Sequence, residues 1–228
     1  MTPTQVMSFK DPARALTSLL APWEKRCLVW LAQRMPRWVN SDHLTGLAIA
    51  AMAAAGASYA LARAAPIGLL LVVVCLMANW FGDSLDGTLA RVRRHQRPRY
   101  GYYVDHVVDV LGTALLFGGL ALSGYMSPIV ALCLLVAYLL VCCEVYLATH
   151  CLGTFTMSFL KIGPTELRIL LSFGNIAVFF HPTSELFGQT FRLFDVAGVL
   201  GAAGMGGTFL AAAVRNTRTL FRAEPIPR

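Results

Sequence analysis

Apolar residues dominate six stretches of the chain, roughly 44–64, 67–90, 101–124, 128–149, 164–181 and 194–214, and polar residues collect between them. Each stretch approaches the ~20 residues that a helix needs to cross a hydrocarbon core. A bilayer offers no partner to an exposed N–H or C=O, so spanning stretches of this kind are helical. The pattern predicts an all-α integral membrane protein, a six-transmembrane-helix bundle. Upstream, residues 10–38 interleave Trp23, Leu28, Trp30, Leu31 and Trp38 with Lys25, Arg26, Arg34 and Arg37. That mixture predicts an amphipathic helix lying in the membrane interface; a partner-binding helix would carry the same pattern. The expected organisation is an interfacial segment 1–40, a six-helix domain 41–216 and a cytoplasmic tail 217–228. Connections at Arg63 to Pro66 and Gly124 to Pro128 are short and hold Pro or Gly, which makes consecutive spans antiparallel neighbours. The last span carries Gly198, Gly201, Gly204, Gly206 and Gly207, a density that permits close helix contact within or between subunits.

Composition agrees with a membrane solvent: 57% of residues are hydrophobic, 14% are charged and the mean hydropathy is +0.61, too apolar for a soluble domain of 228 residues. Of the nineteen Lys and Arg residues, all but Arg63 and Arg192 fall on one side of the expected spans. Positive residues near helix ends are retained in the cytoplasm, so both termini are expected there, in a multi-pass protein of a bacterial inner membrane, plasma membrane or equivalent. Topology and anionic lipid headgroups account for the net charge of +7, and no basic segment carries a nucleic-acid module. The six cysteines lack metal-ligand spacing and read as small core residues. The first forty residues lack the apolar run of a signal peptide, so the first span is expected to direct insertion.

The candidate chemistry lies where the second and third spans meet. Residues 82–109 hold four aspartates in a chain with only twelve acidic residues. A carboxylate inside a membrane bundle costs about 2.5–3.5 kcal/mol on insertion scales, and mutual repulsion adds to that. Bound divalent cations would offset it. Asp83 and Asp86 are three residues apart and Asp105 and Asp109 four apart, so each pair shares one helix face and two helices can aim the set at one point. Oxygen-only ligation favours a hard ion, Mg²⁺ or Mn²⁺. Gly82, Gly87, Ala90 and Gly101 flank the aspartates with minimal side chains that would let a nucleotide approach, and Arg91 would offer a forked cation to its phosphates.

The order Asp83-x-x-Asp86-Gly87-x-x-Ala90-Arg91, a spacer, and Gly101-x-x-x-Asp105-x-x-x-Asp109 resembles the signature of the CDP-alcohol phosphotransferases at every fixed position. The spacer of nine residues between Arg91 and Gly101 is one longer than is usual there. Upstream, Ser41-Asp42-His43-Leu44-Thr45 resembles the family's Pro-Asn-x-Leu-Thr entry to the first span, which makes Asp42 and Thr45 candidates for substrate contact. The resemblance implies a six-helix fold, a homodimer, a two-metal site near the cytoplasmic face, a CDP-linked donor and a hydroxyl acceptor. Asp83, Asp86 and Asp105 are then expected to bind two metal ions, and Asp109 to serve as base and further ligand. The implied reaction moves a phospho-alcohol or phosphatidyl group from the donor to the acceptor by in-line attack and releases CMP.

Shorter features are similar to the eukaryotic choline and ethanolamine phosphotransferases: Asp105-His106, Glu144 with Tyr146, and Gly163-Pro164-Thr165-Glu166. That resemblance implies that His106 and Glu144 or Glu166 share the base role. It leaves two donors open, CDP-choline or CDP-ethanolamine with diacylglycerol, or CDP-diacylglycerol with a small alcohol, and tilts slightly to the former. Lys161 and Arg168 could hold an anionic acceptor, although a cytoplasmic position also accounts for them. A transporter using the aspartates as a cation path is the alternative from another functional class.

Overall fold

The computed structural model describes residues 13–14, 20–155, 164–186 and 188–226; Lys161 and Gly163 lie outside them. A two-residue strand β1 (Ala13–Arg14) precedes helices α1 (Ala21–Arg34), α2 (Ser41–Ala62), α3 (Ile67–Val92), α4 (Pro98–Leu122) and α5 (Pro128–Leu152). Strand β2 (Thr154–Phe155) pairs in parallel with β1. Helix α6 (Pro164–Phe180) leads to an antiparallel hairpin of β3 (Thr183–Leu186) and β4 (Gln189–Arg192), turned at Gly188 with φ +75°, and α7 (Leu193–Ala223) ends the described fold.

The local sequence explains where these helices start. Asn40 caps α2, its Oδ1 accepting from the His43 N–H at 2.9 Å while His43 Nδ1 accepts from the Asn40 N–H at 3.3 Å. This is a capping box with histidine in place of the usual Glu or Gln. Pro98 and Pro128 sit at the starts of α4 and α5, where a missing N–H is harmless.

Helices α2, α3, α4, α5 and α7, of 22 to 31 residues, are long and apolar enough to cross a membrane. The all-α membrane fold is therefore as expected. The stretch expected to form the fifth span is the 17-residue α6, about 25 Å long at 1.5 Å per residue. Helix α7 runs on through Ala223, so residues 217–223 continue its axis. Met77, Ile129, Phe173 and Leu200 point away from the bundle, each more than half exposed, an arrangement suited to lipid.

Helix α1 lies within the span expected to be amphipathic. Its inner side buries Leu28 and Ala32 against Val39, Leu44, Leu85 and Leu89, and its outer side leaves Trp23 and Trp30 exposed. Arg26 and Arg34 stand 5.5 and 4.1 Å from the centroids of those two indoles. The larger core joins Tyr59 of α2, Leu69 and Val72 of α3, and Leu116 and Leu120 of α4 to Val178 of α6 and Phe194 of α7. Within it, Asn175 Nδ2 donates to the Tyr59 hydroxyl at 2.8 Å.

Glycine sets how closely α2, α3 and α4 pack. A Cβ on Gly119 would collide with the Gly56 carbonyl, and one on Gly56 would collide with the Leu115 carbonyl, so α4 crosses α2 backbone to backbone. Gly82 approaches α2 similarly, a Cβ there lying 2.6 Å from the Leu44 carbonyl oxygen. Its missing side chain serves helix contact and not the nucleotide access expected above. Gly204, Gly206 and Gly207 face open space among the described residues. We expect Gly119→Leu to lower the melting temperature of the detergent-solubilised protein by several degrees, since overpacking costs about 1–3 kcal/mol or more. Gly206→Leu, followed by the same circular-dichroism melt, is expected to shift it by less than about 1 °C.

Candidate metal centre

Asp83 lies nine residues before the end of α3, about 14 Å along its axis, and Asp105 and Asp109 lie seven and eleven residues into α4. The two helices run antiparallel, which brings these positions to the same depth. One ligand oxygen from each of Asp83, Asp105 and Asp109 falls within 4.8 Å of the others, and all three side chains are partly buried. Two full negative charges about 5 Å apart repel by on the order of 3 kcal/mol at an effective dielectric near 20. Crowding of this kind is sustained by cations or hydrogen-bond donors, and an all-oxygen set suits a hard divalent cation.

Asp86, expected to converge with the other three, lies outside that group of three. Its Oδ2 accepts from the Thr45 hydroxyl at 2.6 Å, and its Oδ1 accepts from the adjoining Gly87 N–H. Its backbone carbonyl accepts from the Ser41 hydroxyl at 2.7 Å. The start of α2 is thereby stitched to the signature turn of α3. Ser41, which stands where the related motif has proline, supplies a bond that proline could not make.

On the other side of the centre, Arg168 Nη2 of α6 donates to Asp83 Oδ2 at 2.5 Å, both side chains being more than four-fifths buried. A guanidinium so placed balances one of the crowded charges. Arg168 is thus engaged with the site itself, whereas the sequence offered it as a holder of the acceptor. Arg91 lies back along α3, its Nη2 donating to the Thr88 hydroxyl at 3.0 Å, and a Cβ on Gly87 would stand 3.4 Å from its Nη1. Gly101 borders open space among the described residues.

The remaining candidates occupy distinct surroundings. His106 is buried between Tyr102 and Tyr146, with ring centroids 4.1 and 4.8 Å away, and its Nδ1 is 2.7 Å from the Tyr102 carbonyl oxygen and 3.8 Å from Asp105 Oδ2. Glu144 accepts from Asn216 Nδ2 of α7 at 2.6 Å, and Glu166 Oε1 accepts from the Leu20 N–H at 3.1 Å. Neither carboxylate is among the three that converge.

Two hollows open around the start of α2. A cleft of about 440 Å³ between the start of α2 and the end of α3 is lined by Ser41, Asp42, Ala90, Arg93, His95 and Arg97, among others. Arg97 pairs with Asp42 across it and lies 4.1 Å from the Tyr100 ring centroid; the exposed carboxylate raises the guanidinium's pKa further. Arg93 holds the cleft's rim by donating through Nη2 to the carbonyls of Met35 and Pro36, both at 2.9 Å. A smaller hollow of about 200 Å³ is lined by Thr45, Gly46, Ile49, Tyr100, Val104 and Val108, with Asp42 at its edge.

The CDP-alcohol phosphatidyltransferase family model matches residues 38–209, which include α2 to α6 and every residue of this centre. No curated protein matches the chain.

Because the Thr45 hydroxyl satisfies Asp86 at partial burial, its removal leaves a charged acceptor short of one donor. Thr45→Val is expected to destabilise the solubilised protein by about 1–3 kcal/mol, and Thr45→Ser to keep it within about 0.5 kcal/mol of the native chain, both read by thermal unfolding.

Proposed function

The chain belongs to the CDP-alcohol phosphatidyltransferase family, transferases that move a phospho-alcohol from a CDP-alcohol in phospholipid synthesis, and from that premise we propose how its residues divide the reaction. The observation that carries the proposal is the approach of Asp83, Asp105 and Asp109 to within 4.8 Å. These three, with Asp86, would hold two Mg²⁺ or Mn²⁺ ions. When bound, the ions neutralise the donor's diphosphate and steady the departing cytidylate.

The cytidine diphosphate lies in the cleft at the start of α2, where Ala90 leaves room and Arg93 and Arg97 supply positive charge; Arg91, next in the chain to Ala90, would swing from Thr88 to reach its phosphates. A volume of about 440 Å³ is within the usual range for a small-molecule site. Asp42 lines both hollows and Thr45 the smaller one, and Gly87 and Gly101 would keep the approach open. Asp109 takes the proton of the acceptor hydroxyl. The freed oxygen bonds to the phosphorus that carries the alcohol, and the bond from that phosphorus to the bridging oxygen breaks, so that CMP leaves with the electron pair. His106, beside Asp105, supports the acceptor side. Its resemblance to the choline and ethanolamine enzymes favours a small CDP-alcohol donor with diacylglycerol over CDP-diacylglycerol with a small alcohol. Glu144 and Glu166, bonded to Asn216 and to the backbone of Leu20, act as braces in this reading and not as bases.

The basic residues of α1, the α3–α4 loop and the end of α7 lie toward the aspartates' end of the bundle, which we assign to the cytoplasm with both termini. A second copy packs on the open side of α7 at Gly204 and Gly207. Family membership sets aside the transporter reading.

The test is CMP release by the purified protein with Mg²⁺ or Mn²⁺ over a panel holding both kinds of donor and acceptor. Asp109→Asn is expected to lower the rate by a factor of about 10² or more, and Asp83→Ala or excess EDTA to abolish it. Native rates in Asp109→Asn would remove the base assignment, and activity in EDTA would remove the metals.

A further inference from the structure

Glu24 is the acidic residue of the first turn of α1, on the helix expected to lie in the membrane interface. Its Oε1 gathers donors from two other helices: Trp80 Nε1 at 2.7 Å and the Ser84 hydroxyl at 3.4 Å on α3, and the Thr165 hydroxyl at 2.6 Å on α6. Both routes away from this oxygen lead to Asp83. Ser84 is its chain neighbour. Thr165 stands three residues before Arg168 on the same face of α6, and Arg168 grips Asp83 Oδ2 at 2.5 Å. The main chain at the start of α1 ties to α6 as well, through the Leu20 N–H and Glu166.

We infer that Glu24 is a positioning residue for the aspartate centre, fastening the first turn of α6 to α3 so that Arg168 holds the Asp83 carboxylate in its ligating orientation. The inference rests on the metal reading of Asp83, Asp105 and Asp109. A first-turn carboxylate could serve its own helix alone, interacting with the α1 dipole. Three side-chain donors from two other helices on one oxygen are not needed for that purpose. They are what a junction between α1, α3 and α6 requires. The acceptor oxygen matters here and not the charge, because every donor is neutral.

The experiment reads Mn²⁺ binding to the full chain in detergent without nucleotide, by the electron paramagnetic resonance of free Mn²⁺, alongside CMP release and thermal unfolding. Asp83→Asn is the control and loses binding. Glu24→Ala is expected to weaken Mn²⁺ binding about tenfold, the low end of what losing an outer-shell partner of a ligand costs, and to raise the Mn²⁺ concentration that half-saturates CMP release by a similar factor. Glu24→Gln, which keeps the acceptor oxygen, is expected to bind within about twofold of the native chain. Thr165→Val removes only the α6 arm and guards against unfolding of the α1 junction, since Glu24 keeps its α3 donors; it is expected to weaken Mn²⁺ like Glu24→Ala while melting closer to the native protein than Glu24→Ala does. Native Mn²⁺ affinity in both Glu24→Ala and Thr165→Val, with Asp83→Asn still defective, would overturn the positioning role alone. Glu24→Gln as weak as Glu24→Ala would overturn it too. Native affinity in Asp83→Asn would instead bring down the metal reading beneath it.

Discussion

Three carboxylates with ligand oxygens within 4.8 Å of one another, set about two to three helical turns in from the ends of two membrane helices, repel one another where water is scarce. The surroundings can be read as answers to that repulsion. Thr45 and Ser41 reach from α2 to hold Asp86 and its backbone, and Arg168 reaches from α6 to balance Asp83. The glycine contacts that draw α2 against α3 and α4 are what bring those short side chains within reach. Charge cluster, hydrogen-bond frame and backbone packing are therefore one design, and loosening any of them loosens the rest.

The ends of the bundle differ for the same reason. Polar bonds between elements are dense at the aspartates' end, where Arg93 clasps the carbonyls of Met35 and Pro36 and Asn216 bonds Glu144. The opposite end is held more sparsely; there the Ser127 N–H donates to Asp195 at 2.6 Å, linking the start of α5 to the start of α7. A centre whose carboxylates must keep their places needs support nearby. The far end needs mainly apolar packing around Tyr59, Leu69 and Phe194.

Much of this was legible in the chain. Long apolar stretches mark spans because the bilayer demands them, and four aspartates stand out where acids are rare. What the linear pattern could not carry was contact between distant positions. Thr45 and Asp86 are 41 residues apart, Asp83 and Arg168 85 apart, and Glu24 and Thr165 141 apart. Arg168 looked topogenic because any arginine near the end of an apolar span does. Glu144 shared a motif with Tyr146, yet it turns to α7, while Tyr146 meets His106. Gly82 and Gly87 looked alike as small neighbours of Asp83 and Asp86; one touches the α2 backbone and the other lies beneath Arg91. Helix direction separates these pairs, and spacing alone does not.

The seam between Gly56 and Gly119 has one more implication. Two backbones in contact leave no side chains between them to rotate, so α2 and α4 cannot shear without breaking the contact. Elsewhere the partners are softer: Gly198 of α7 meets Val130 of α5 and Met126 of the α4–α5 connection, and Gly174 of α6 meets Phe194 of α7, side chains that can change rotamer. Small adjustments of packing therefore belong more to the later half of the chain. The early half is a stiff jig, and the pliant half can be repacked around it without disturbing the seam.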